Sequence, residues 1–416
     1  MERLKEVRLN ETIFSRAEQS RAEQSRAEQS RAEQSRAEQS RAERNNYIDF
    51  LRGIASIGII AIHTAFWAGQ SYTPEWFWNL TLLLDVPFFF YLSGWASSYK
   101  KSDIKKTCKS ILDIWCKWIF FVSVVSVFCF FSHFFPFSFE GVSDIKDLFQ
   151  NYMFNVSIPG FCVVAGSIWF LPCYFVLIFV NAIIMTILEG FAGTTENKKT
   201  YMWILIGVFI WISYGQYFFG LDVQYFLFYS FFWMLGMNKM GKAKNLRQLL
   251  MLLSLLALGT MFSSYLQGLP LYDLQSAKFP PSIKYGFASL ITIVLAKYFE
   301  GRYSVKKNFI EHIGKNAIYY YFAQGIGSSI NYYVVGMVNL NNWLFKWILA
   351  YGVNFLVTIL IAEALSFMYS KLIIKRIYSG LFVKQLIDGF IRWMHHIEIF
   401  VIDLFIMMEF IKLKFL

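Results

Sequence analysis

The sequence predicts an all-α, polytopic membrane protein of about ten transmembrane helices, with both termini cytoplasmic, and three observations carry that prediction. Apolar runs long enough to cross a bilayer as helices recur along almost the whole chain. Charged residues are only 16% of the 416, against 56% hydrophobic and 20% aromatic, whereas soluble domains carry about 25% charged residues. The Lys and Arg gather in short segments between the apolar runs, as topology signals do.

Spans are expected at 48–68, 76–99, 111–135, 167–187, 201–219, 224–238, 248–265, 282–299, 316–337 and 343–369. With the N-terminus inside, the cytoplasmic loops hold Lys100, Lys101, Lys105, Lys106 and Lys109, then Lys198 and Lys199, then Lys239, Lys242, Lys244 and Arg247. Lys297, Arg302, Lys306, Lys307, Lys315, Lys371, Lys375 and Arg376 follow on the same side. The outer loops hold only Lys146, Lys278 and Lys284. Basic residues near span ends stay in the cytoplasm, so this asymmetry selects the orientation.

The chain divides into a polar segment over 1–46, a transmembrane domain over 47–370 and a basic, then apolar, tail over 371–416. Residues 15–43 repeat Ser-Arg-Ala-Glu-Gln. A five-residue period turns about 140° per repeat on a helix, so no apolar face forms and a solvated helix or disorder is expected. The unit AGCAG repeated three times encodes this pentapeptide, which suggests a slippage-prone gene tract and phase variation. Scattered synonymous codons in the gene would remove that idea. The tail is expected as an interfacial helix or an eleventh span. A long polar N-terminus gives no cleavable signal peptide.

The net charge of +11 follows from the loops and does not point to nucleic acid. Cys108, Cys116, Cys129, Cys162 and Cys173 lack CxxC spacing and read as small buried hydrophobes. No His/Cys/Asp cluster has metal-ligand spacing, and no phosphate-binding glycine loop is present.

Ionisable groups within spans point to function. In the first span, Arg52 and His63 are eleven residues apart, close to three helical turns, so they share one stripe about 16 Å apart along the axis. A guanidinium near the cytoplasmic mouth and a deep imidazole suit chemistry; the plainer reading is a snorkelling Arg and a packed His. Asp85 opens the second span's Val86-Pro87-Phe88-Phe89-Phe90-Tyr91-Leu92-Ser93-Gly94-Trp95. Asp85 either reaches His63, fixing its tautomer, or partners another polar group. Pro87 is expected to kink the helix, and Ser93-Gly94 to allow close backbone approach. Lys100 and Lys101 mark topology or hold cofactor phosphates as point charges. His133, His312, His395 and His396 rank lower, Glu363 is an unassigned intramembrane acid, and Tyr319, Tyr320 and Tyr321 read as packing or interfacial belt.

These residues resemble the bacterial acyltransferase-3 family of integral-membrane O-acyltransferases. The likeness rests on Asp49-Phe50-Leu51-Arg52-Gly53 with His63 following, then on Pro87 through Gly94. Ser167-Ile168-Trp169-Phe170-Leu171, Phe231-Phe232-Trp233-Met234-Leu235-Gly236 and Ile313-Gly314-Lys315-Asn316-Ala317 complete it, covering about 47 to 370. Ala323-Gln324 stands where the family often has a histidine, and Lys100-Lys101 where paired arginines often follow. The first departure suggests a different acceptor; the second weakens any bidentate phosphate clamp.

The resemblance implies a bacterial inner-membrane enzyme without an appended extracellular domain. Its donor would be cytoplasmic acetyl-CoA or another acyl-CoA, with no metal. Its acceptor would be a hydroxyl of a surface glycan or lipid-linked oligosaccharide, and its surroundings membrane lipid; a homodimer stays open. On that scheme His63 is the general base, Arg52 positions the donor and Asp85 orients the base. Ser93, Gly94, Lys100 and Lys101 line the donor site, with Trp169 and Ser167 at the acceptor opening. A glycan exporter or flippase is the second reading, since many spans with intramembrane charge also suit translocation. A sensor or scaffold without turnover is the third.

Overall fold

The computed structural model describes residues 46–99, 103–135, 138–190, 223–302 and 307–374, with five residues between 201 and 207. The pentapeptide repeat, Lys100, Lys101, most of the expected 201–219 span and the tail beyond 374, with His395 and His396, lie outside them.

Besides short 3₁₀ and π turns and the helical residues between 201 and 207, fourteen α-helices follow in order among the described residues. They are α1 (Asn46–Phe66), α2 (Glu75–Thr81), α3 (Val86–Ser97), α4 (Ile104–Ser132), α5 (Ile145–Tyr152), α6 (Cys162–Ser167) and α7 (Phe170–Gly190). Next come α8 (Val223–Met237), α9 (Leu246–Gln267), α10 (Gln275–Lys278), α11 (Ile283–Phe299), α12 (Phe309–Lys315), α13 (Ala317–Met337) and α14 (Trp343–Met368). Among the described residues, six helical segments are long and apolar enough to cross a membrane: Asn46–Phe66, Glu75–Ser97, Ile104–Ser132, Pro159–Ile187, Leu246–Gln267 and Trp343–Lys371.

Short Asx side chains start many of these helices. Asp103, Asp144, Asn245 and Asn308 each accept from the backbone N–H three residues on, and Asn342 accepts from Leu344 and Phe345. Such caps satisfy amides that the first turn leaves orphaned. Asp103 starts α4 well before the expected 111, because a capped, solvated lysine-rich turn continues into the apolar run. Gly268, at φ 64°, closes α9 in the left-handed conformation that glycine adopts without cost.

Two expected spans are broken. Around 76–99, α2 gives way to a 3₁₀ turn at Leu82–Leu84, Asp85 is extended, and α3 begins afresh. Pro87 therefore sits in the first turn of a new helix rather than kinking an old one, where its missing N–H costs nothing. Around 167–187, α6 ends at Ser167 and α7 starts at Phe170, so Ile168 and Trp169 form the junction. Irregular backbone inside a membrane protein is tolerated where protein buries it or where it lines a cavity.

One buried core joins Phe90, Tyr91 and Trp95 of α3 to Phe228, Tyr229 and Phe232 of α8 and Tyr285 of α11. A second joins Trp118 and Phe121 of α4 to Phe161, to Tyr320 and Phe322 of α13, and to Leu365 of α14. Tyr47, Leu51 and Ala55 of α1 belong to the first and Ile57 packs on the second, so α1 bridges the two. Outward-facing Leu250, Leu255, Leu258 and Phe262 of α9 and Leu356 and Leu360 of α14 are exposed, the inside-out surface that lipid requires. The cysteines correct one expectation: Cys108 and Cys129 are buried, but Cys116 and Cys162 are exposed.

Candidate active site

Glycines set the helix crossings near the lysine-rich end. A Cβ on Gly94 would strike the Trp233 carbonyl, and one on Gly236 the Tyr91 carbonyl, so α3 and α8 touch backbone to backbone. Gly53 faces the Ile310 carbonyl and Gly314 the Asp49 carbonyl in the same way, locking α1 to α12. Small residues permit such approaches. Gly94, expected to line a donor site, is thus buried in a helix interface.

Arg52 sits at this end, its Nη1 donating to Asp49 Oδ1 at 3.1 Å. A third of its side chain is exposed, which leaves the guanidinium open to a partner. Ser93 lines a cavity of roughly 220 Å³ together with Ser97, Lys106, Thr107, Ser110 and Tyr174. The hydroxyls of Ser93 and Tyr174 are 3.2 Å apart. Asp103 closes the rim, and a hydrogen bond from Lys106, 2.8 Å away, holds its carboxyl below the usual carboxylate range. Sites for drug-sized ligands span about 300–1,000 Å³, so this cavity has room for part of a large donor.

His63 stands apart, on α1's far end. It is half-buried, its Nδ1 is sealed from solvent without a partner, and Gln324 of α13 lies within hydrogen-bonding reach of its ring. The charges acting on it are Lys278 and Asp85. Arg52 is not among them.

Asp85 occupies the break before α3, and its Oδ2 accepts from Lys278 Nζ at 2.7 Å and from the Tyr285 hydroxyl at 2.6 Å. These bonds engage the carboxylate with Lys278 and Tyr285 rather than with His63. Lys278 was a topology charge in the sequence, yet it is only 7% exposed. Its short helix α10 is held from both sides. Asn79 Oδ1 accepts from the Leu274 and Gln275 amides at 2.8 and 2.9 Å. Lys284, fully buried, donates to the Pro270 and Asp273 carbonyls. Of the three lysines expected in outer loops, Lys146 is exposed but Lys278 and Lys284 are buried, because Asp85 supplies a carboxylate to the first and the folded-back loop supplies carbonyls to the second.

Trp169, at the second break, is half-buried, with Lys278 Nζ 5.7 Å from its ring and Phe279 against it edge-on. Ser167 is buried and bonded to Val164 O at 3.2 Å, while its own carbonyl accepts from Tyr321. Ser167 thus anchors α13 beside the site, and Trp169 alone of that pair reaches it. Glu363 pairs with His312 at 2.8 Å and Tyr320 at 2.7 Å, away from this centre.

The structure brings His63, Asp85, Trp169, Lys278, Tyr285 and Gln324 into one polar centre between two broken segments. Sequence reasoning missed Lys278 and Tyr285. The one available signal was Lys278 in an expected outer loop that also carries an aspartate, and that signal is weak. Among the described residues no group of three His, Cys, Asp or Glu could hold a metal ion.

A family model described as an acyltransferase domain, Acyl_transf_3, matches residues 45–363. The chain belongs to this acyltransferase-3 family. No match is found among curated proteins or among solved structures. All the residues of the polar centre and of the Ser93 cavity fall within the stretch that the acyltransferase model covers.

Proposed function

We propose that this acyltransferase moves an acyl group, acetyl first, from acyl-CoA on the lysine-rich, cytoplasmic side to a hydroxyl of a surface or lipid-linked polysaccharide in the bacterial inner membrane. The observation that carries the reading is the half-buried His63, with Nδ1 unpartnered, beside a buried ammonium. Acyl transfer needs a base at the attacking hydroxyl and positive charge at the carbonyl oxygen.

In the proposed step, His63 takes the proton of the acceptor hydroxyl as its oxygen attacks the thioester carbonyl. A C–O bond forms, the C–S bond breaks, and the proton leaves on the thiol of CoA. Lys278, held by Asp85, whose carboxylate also accepts from Tyr285, faces the charge that develops on the carbonyl oxygen. Asp85 therefore acts by positioning Lys278. Trp169 walls the acceptor opening. The Ser93 cavity lies about 12 Å down α3 from Asp85, a distance that the extended thiol arm of CoA covers. Arg52, with Lys100 and Lys101, is assigned to the donor's phosphates.

The test compares surface polysaccharide by mass spectrometry from strains with the gene, without it, and with His63→Ala. Acyl esters should require both the gene and His63. Esters that persist in the His63→Ala strain would refute the role of the base, and their presence without the gene would refute the function.

A further inference from the structure

Beyond the reacting centre, α13 carries a row of polar side chains that the proposed chemistry does not use. Gln324, Ser328 and Asn331 are spaced four and three residues apart, so they share one face. All three are buried, at 1%, 0% and 0% exposure. Their bonding is incomplete in a consistent direction. Ser328 donates weakly to Gln324 Oε1 at 3.5 Å and accepts from Asn354 Nδ2 at 2.9 Å, and Asn354 also donates to Thr64 at 2.8 Å. Gln324 Nε2 has no partner, and neither Nδ2 nor Oδ1 of Asn331 has one.

A buried amide with nothing to bond costs about 1–3 kcal/mol, so a fully unpaired Asn in a helix core calls for a partner that the helices do not supply. The row begins beside His63 and runs two turns, about 10 Å, along α13 away from the lysine-rich end. The turn Ala68–Ser71 packs over that helix. α13 has no Asp, Glu, Lys, Arg or His. An amide offers one donor side and one acceptor side, which matches hydroxyl groups and gives a carboxylate or an ammonium no counter-charge.

We infer that Gln324, Ser328 and Asn331, backed by Thr64 and Asn354, form the acceptor subsite and take the hydroxyls of an uncharged sugar ring. This rests on the acyl-transfer reading above. The ring approaches from the end opposite the lysines, Asn331 meets it first, and Gln324 sets the reacting hydroxyl against the His63 ring.

Asn331→Leu in the full-length protein separates this role from a structural one. Leucine fills a similar volume and removes two unpaired polar atoms, so the variant should insert normally and melt at or above the wild-type temperature. Ester content on the host's purified surface polysaccharide should nevertheless fall at least tenfold, and Asn331→Gln should restore much of it. A folded Asn331→Leu protein with normal ester content overturns the subsite alone. Loss of folded protein in both Asn331→Leu and Asn331→Ala also overturns it, because an unpaired amide gives the fold nothing to lose. Fragment masses that place the ester on an acidic sugar overturn the uncharged ring. A wild type that adds no ester to the polysaccharide overturns this subsite and the proposed function together.

Discussion

The lysine-rich end of the molecule and its opposite half are built on different principles. Near the lysines, four glycines bring backbones into contact, α3 against α8 and α1 against α12. In the opposite half, helices break at Asp85 and at Ile168-Trp169, and buried polar groups converge on His63. The stretches that reveal the family, Asp49–Gly53, Ser93-Gly94, Phe231–Gly236 and Ile313–Ala317, mostly serve the first end. Their regularity is a packing requirement, while the chemistry draws on single residues far apart in the chain.

Breaking the polar half should cost most. His63→Ala should lower acyl transfer by about 10²–10⁴-fold, the usual contribution of a general base, with normal membrane insertion. Lys278→Met alone should destabilise the protein by roughly 3–5 kcal/mol, since it strands the buried Asp85 carboxylate. Lys278→Met with Asp85→Asn should recover much of that melting temperature, yet leave transfer about 10²–10³-fold down. Recovered transfer in the double variant would make the pair purely structural.

The packing end should respond in stability instead. Gly94→Val or Gly314→Val forces a side chain into a facing carbonyl and should cost about 1–3 kcal/mol or more, seen as lost folded protein. Substantial transfer by the folded fraction would sharpen the division between the halves. Ser93→Ala should raise the acetyl-CoA KM by about threefold to tenfold through one lost polar contact, with kcat little changed.

The smallest effect belongs to Asp103, whose carboxyl is held low by Lys106. A depressed folded-state pKa adds stability above the unfolded value, and that stability is lost as pH falls through the folded one. Asp103→Asn should therefore be slightly less stable than wild type at neutral pH, and the gap should close below about pH 4. A constant gap across that range would show that the ion pair is not its source.

Periodicity and composition alone determined the helical class, the membrane setting and most helix positions, because each span must bury its own backbone bonds and present apolar side chains to lipid. They also singled out His63, since an imidazole in an apolar helix is costly wherever it stands. Other features were decided by the tertiary structure. A single run of apolar residues around 76–99 does not show that the helix stops at Asp85, because the groups that sustain the break, Lys278 and Tyr285, lie about two hundred residues away. An outer-loop lysine looks the same in sequence whether it meets water or a buried carboxylate. Gln324 and Asn331 likewise become informative only when the fold seals them from solvent and leaves Gln324 Nε2 and both polar atoms of Asn331 without a partner. Local energetics are written along the chain; the partner that satisfies a buried charge, or is missing from a buried amide, is chosen by residues distant in sequence.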